Sequence, residues 1–220
     1  MRKMGNNIMY PPITTFEKLS DSQKLSLKKG VIEVSGKHMN RTALGVVDAM
    51  LQLYPKATFE ELKQMLPDEL NPAAPKNYRS LFKPYTDRLY GVIQPGSIRK
   101  ECEDQELDIH ASHFTDETEI FRSADGIEIL VSKSWESKDT ESGEHDLENL
   151  IKHVEKYGVR VVEYNKDKPF TKGGYSLSVV NPTLLDEIQN PKKNSFPYWI
   201  IILIIALASI GVYFFLDTKK

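Results

Sequence analysis

Cations and aromatic rings alternate between Lys76 and Lys100. Lys76, Arg79, Lys83, Arg88, Arg99 and Lys100 are interleaved with Tyr78, Phe82, Tyr85 and Tyr90, and Asp87 is the only acid, so the window carries about +5. Phosphate neutralisation needs cations, and base stacking needs aromatic faces. This stretch supplies both. It makes Lys76, Arg79, Lys83 and Arg88 candidate phosphate contacts and Tyr78, Phe82 and Tyr85 candidate stacking platforms. The competing reading keeps the rings in the core and the cations in water.

A second pattern is Asp108-Ile-His110-Ala-Ser-His113. A carboxylate and two imidazoles are competent ligands for zinc or manganese. Asp108, His110 and His113 are therefore candidate metal ligands, although no second ligand cluster accompanies them. The competing and preferred reading is solvated loop side chains. Cys102 lies among Glu101, Glu103 and Asp104, whose charges raise a thiol pKa and make a poor nucleophile. As the only cysteine, it excludes a disulfide-stapled scaffold.

Other reactive patterns fail on spacing. Gly36-Lys37 suggests a phosphate loop, but Val31 stands where the first glycine belongs and His38 where a hydroxyl belongs. Thr171-Lys172-Gly173-Gly174 reads as a turn. Glu61-Leu-Lys63 has the carboxylate-lysine pattern of a metal-dependent nuclease, yet it falls on an expected helix. No cofactor motif and no catalytic constellation emerges, which favours a binding protein over an enzyme.

These stretches need elements to hold them. Residues 1–25 read as a leader, and Val31 to Val34 as a short strand. Asn40 or Thr42 is placed to cap a helix to Tyr54, with Leu44, Val47 and Leu51 on one face. Thr58-Phe-Glu-Glu61 is a capping box opening a second helix that Pro67 stops. Two such helices resemble the opening of a helix-turn-helix or winged-helix module, and also a plain helical hairpin. The helix-turn-helix-like region with its basic-aromatic stretch is expected over 26–100. Eight carboxylates and no lysine or arginine between Glu101 and Glu119 mark 101–118 as an acidic linker.

A small α/β unit is expected over 119–182. Asp125-Gly126 joins a hairpin. Asp146 opens a helix to Tyr157 that Gly158 ends, Val159 to Tyr164 is a strand, and Tyr175 to Val180 is another. Residues 183–195 read as a juxtamembrane linker.

From Phe196 to Leu216 no charge interrupts the sequence. About 20 apolar residues match the roughly 30 Å of a bilayer core. The helix expected over 196–216 includes Trp199, Ile200, Leu203, Ala208, Gly211, Phe214 and Leu216. Its tyrosines and Trp199 suit the two interfaces. The small residues Ala206, Ala208, Ser209 and Gly211 would let two such helices approach. The N-terminus lacks the apolar core of a signal peptide. The expected placement is therefore a single-pass inner-membrane protein with its soluble part in the cytoplasm. Expected partners are the lipid bilayer, a nucleic acid or nucleotide, and a second copy or a protein partner. The fold class expected is α+β plus this C-terminal transmembrane helix.

Three runs (TFEELKQMLPDEL, EIFRSADGIEILVSKSW and DLENLIKHVEKYGVRVV) resemble small bacterial proteins of mobile elements and defence loci. The resemblance spans roughly 40–165 and assigns no residue a role. It implies a bacterial inner-membrane protein, and the tethered architecture suits an effector of an antiviral defence system. The first functional expectation is a tethered reader of a nucleic-acid-derived signal. A protein-interaction adaptor is the second, and a metal-dependent hydrolase using His110 and His113 the third.

Overall fold

Ile32 and Val34 alternate with Glu33 and Ser35, and burial follows the same period. They form strand β1, Ile32–Gly36. In the computed structural model, which describes residues 14–71, 91–106, 108–135, 146–164 and 173–190, β1 is the centre of a three-stranded sheet. On one side it pairs in parallel with β5, Val159–Tyr164, and on the other in antiparallel with β6, Tyr175–Val179. The chain divides into two units, residues 1–189 and 190–220, and the second lies outside the described residues except for Asn190.

Two short helices, α1 (Thr14–Glu17) and α2 (Asp21–Leu27), precede β1, and Ser20 and Gln23 form a capping box at the start of α2. Helix α3, Met39–Leu53, follows β1. It packs on the sheet face formed by Ile32, Val34 and Val159. Gly45 makes the approach close: a Cβ there would meet Val34 and Tyr175 at 2.9 Å. The cap differs from expectation. His38, not Asn40 or Thr42, is the N-cap residue, and its side chain caps nothing. β1 runs almost directly into α3, so the helix begins before Asn40. Thr42 is fully buried, and its hydroxyl donates to the His38 carbonyl at 3.0 Å.

Helix α4, Phe59–Met65, starts at the Thr58–Glu61 capping box. A 3-10 turn, Asp68–Leu70, follows. The second sheet is antiparallel in the order β2 (Ile93–Pro95), β4 (Glu128–Val131), β3 (Phe121–Arg122). Gly126, at φ +82°, makes its hairpin turn as the Asp-Gly pair implied. Ile93, Ile129 and Val131 join the main core. On the opposite face Leu130 packs with Ile98, Cys102 and Ile109 in a smaller cluster. Helix α7, Asp146–Glu155, leads through Gly158 (φ +94°) into β5.

The fold is mixed α+β with two small sheets. The main core draws on residues from Leu19 to Ile188, and β1 from the first half pairs with β5 and β6 from the second. The second sheet is therefore inserted in the connection between two adjacent parallel strands.

Two stretches read as linkers carry structure. Within 101–118, helix α5 (Ile98–Glu103) and helix α6 (Ile109–Ser112) bury Cys102, Ile109, His113 and Phe114, while Glu101, Glu103 and Asp104 stay exposed. A few apolar positions at i, i+4 fix these turns despite the acids between them. Within 183–195, helix α8 (Pro182–Gln189) buries Leu184 and Ile188. The Asn181 side chain accepts the Leu184 N–H at its start, and Pro182 occupies the position where a helix has no use for an N–H.

Candidate functional site

Lys76, Tyr78, Arg79, Phe82, Lys83, Tyr85 and Arg88 lie outside the described residues. The two points that bracket them are described. The Asn71 side-chain amide donates to the Gly91 carbonyl at 3.1 Å and to the Ser134 carbonyl at 2.9 Å. Asn71 is 3% exposed. A buried amide with both N–H groups satisfied fixes its neighbours in place. The two described residues that flank 72–90 are thus held at one spot on the body. The sequence reading missed Asn71; its only signal was the Asn-Pro pair after a short acidic turn.

The end of the basic window is occupied differently. Arg99, in the first turn of α5, pairs with Glu128 on β4, and Glu128 also accepts from Arg122 at 3.3 Å. Arg99 is thus held within the fold, while Lys100 is exposed.

The three candidate metal ligands have separate surroundings. Asp108 caps α6, accepting the N–H groups of His110 at 2.9 Å and Ala111 at 3.2 Å. His110 is exposed, and its Nδ1 faces the Thr115 hydroxyl. His113 is fully buried beside Ser132 in the second sheet, with Nδ1 2.8 Å from the Ser112 hydroxyl. Its Nε2 has no hydrogen-bond partner. Burial, with help from the charges of Lys133 and Lys63, holds its pKa down to about 4. Among the described residues no group of three His, Cys, Asp or Glu side chains is arranged to hold a metal ion. The Cys102 thiol is buried, and burial first, then Glu101 and Glu103, pushes its pKa up.

A buried polar cluster elsewhere ties the two halves together. Arg41, in the first turn of α3, pairs with the buried Glu119 and donates to the Gly173 carbonyl at 3.1 Å. Its guanidinium lies 4.6 Å from the centre of the Phe114 ring. Tyr175 donates to Asp48 at 2.7 Å, and burial is the largest cause of a raised Tyr175 pKa. Every charge here meets a protein partner, so the cluster reads as structural. Nothing in the local spacing of Arg41 and Glu119 could have predicted it, because 78 residues separate them.

Among the described residues no helix is long and apolar enough to cross a membrane. The segment expected to do so, 196–216 with Trp199, Ile200, Leu203, Ala208, Gly211, Phe214 and Leu216, lies outside them. No protein-family model matches the chain, and no curated protein or solved structure matches it.

Proposed function

We propose that this protein is a membrane-anchored binding module that holds a nucleic acid or nucleotide beside the cytoplasmic face of a bacterial inner membrane, as a defence-type effector. It is not an enzyme on this reading. The observation that carries it is the Asn71–Gly91 contact. Asn71 ties together the two described flanks of a segment whose sequence is rich in lysine, arginine and aromatic rings. Loops presented from a fixed scaffold are where binding residues concentrate. Arg79, Lys83 and Arg88 bind phosphate, and Tyr78, Phe82 and Tyr85 stack on bases. On this reading the α3–α4 pair, expected to be helix-turn-helix-like, does not read bases itself. Its second helix has one cation, Lys63, which is bonded to Asp68 and to the Ile93 carbonyl.

The test is a salt titration of the full chain in detergent with mixed short DNA and RNA oligonucleotides, beside a variant with Arg79, Lys83 and Arg88 changed to Ala. Affinity should fall steeply with salt. Removing three phosphate contacts should cut the log–log slope by about 2 to 3. Binding insensitive to salt, or unchanged in the variant, would sink the proposal.

A second reading, an adaptor that recruits a protein to the membrane, is favoured by Val179 and Val180, 43% and 45% exposed at the margin of the first sheet. A nuclease-resistant, stoichiometric partner in a pull-down from membranes would favour it. The metal-dependent hydrolase draws no comparable support, since Asp108 caps a helix while His110 and His113 differ in burial.

A further inference from the structure

The two outer strands of the first sheet are unlike each other. β5 carries a register irregularity opposite Val34 and Ser35, and places Arg160 against Glu33. A bulge and a charge are devices that discourage pairing with a further strand. β6, Tyr-Ser-Leu-Ser-Val, has a regular register and no charged side chain.

The register also settles which way the β6 backbone points. Lys37 donates to the Gly174 carbonyl at 2.8 Å, and Val180 to the Val31 carbonyl at 2.9 Å. In an antiparallel ladder, hydrogen-bonded and non-bonded pairs alternate. Between those two bonds, Ser176 and Ser178 therefore bond to β1, while Leu177 and Val179 turn their N–H and C=O groups outward. Among the described residues no strand pairs with that side of β6.

From this geometry we infer that the outer edge of β6 is a docking strand for the β6 of a second copy, forming one continuous six-stranded sheet about a two-fold axis at Leu177. The strand is complementary to itself in this register. Leu177 meets Leu177 of the second copy and exchanges two backbone hydrogen bonds with it. The half-exposed Val179 meets Tyr175, and Ser176 meets Ser178. No like charges oppose each other. A two-fold contact requires such self-complementarity, whereas a foreign strand has no reason to match it. The contact is small beside the roughly 1,200 Å² typical of stable interfaces. Its strength rests on the proposed membrane anchor, which raises the local concentration of copies; its geometry does not.

The experiment is disulfide trapping in the full-length chain, expressed in bacterial membranes. Ser176 and Ser178 are both changed to Cys, with the buried Cys102 retained. In the inferred register these positions form non-hydrogen-bonded pairs, with Cα atoms about 4.5 Å apart, within disulfide reach. A covalent dimer is expected. Adding Val179→Pro should abolish it, because proline removes only an outward N–H, as edge strands tolerate. Val179→Lys should do the same, and serves if the proline variant does not fold. A chain that stays uncrosslinked would overturn the inference and leave the edge to a foreign strand. So would cross-linking that survives both Val179 variants, or that is matched by Val162→Cys on β5, since that outcome reports crowding alone. Membrane pelleting is run on the same samples. If the chain does not pellet, the anchor reading fails separately, and trapping of the purified chain at high concentration still decides the edge.

Discussion

Among the described residues, the second sheet is covered on both faces and the first on only one. Leu130 lies against Ile98, Cys102 and Ile109, while Ile129 and Val131 on the reverse side enter the main core. In the first sheet Ile32, Val34 and Val159 are buried, while Glu33 pairs with a half-exposed Arg160 and Val162 is 52% exposed. The difference separates two duties. The inserted sheet contributes mainly buried contacts. Among the described residues the outer sheet keeps an uncovered face and has no strand paired beyond β5 or β6.

Substitutions should register that division. Leu130→Ala, in the doubly covered sheet, should cost about 2–5 kcal/mol in urea unfolding, against about 0.5 kcal/mol or less for Val162→Ser in the outer sheet. Similar losses would break the comparison.

Acid should strike the inserted sheet through His113. Its pKa is held at about 4, below the ordinary 6.5. Between those values the unfolded chain binds a proton that the folded chain refuses. Stability is therefore full above pH 6.5 and falls as pH drops toward 4, by about 3 kcal/mol. Urea midpoints across that range should show this slope in the parent and a flatter one in His113→Gln.

Asn71→Ala leaves the Gly91 and Ser134 carbonyls without their donor and should cost about 1–3 kcal/mol. If residues 76–88 bind nucleic acid, the same change should weaken oligonucleotide binding and leave its salt slope intact, because no phosphate contact is lost. The smallest effect belongs to the outer face. Glu33→Gln should cost under about 1 kcal/mol at low salt and nothing measurable in high salt, since Arg160 is solvated.

What the sequence revealed was local. The Thr58–Glu61 box, the Asp125-Gly126 turn and the Gly158 helix end each depend on a few adjacent residues, and each stands where its spacing places it. The order of the strands was not legible, because β1 finds its neighbours far along the chain and no period announces that. The turns at 98–112 were hidden by charge: five exposed acids outweigh Cys102 and Ile109 in any averaged reading. The Asp108–His110–His113 spacing was real as a pattern. One short turn of helix nevertheless gave Asp108 to a cap, His110 to solvent and His113 to the interior.

The insertion also has a timetable. Glu33 and its partner Arg160 are 127 residues apart. At ribosomal speeds of about 5–20 residues per second, β1 waits roughly 6–25 s for β5 to be made. Every residue of the inserted sheet leaves the ribosome within that interval and can fold first. Until β5 arrives, the alternating apolar residues of β1 lie against α3 but lack their parallel neighbour. A chaperone that binds short apolar strands would find its target there, early in synthesis and only once.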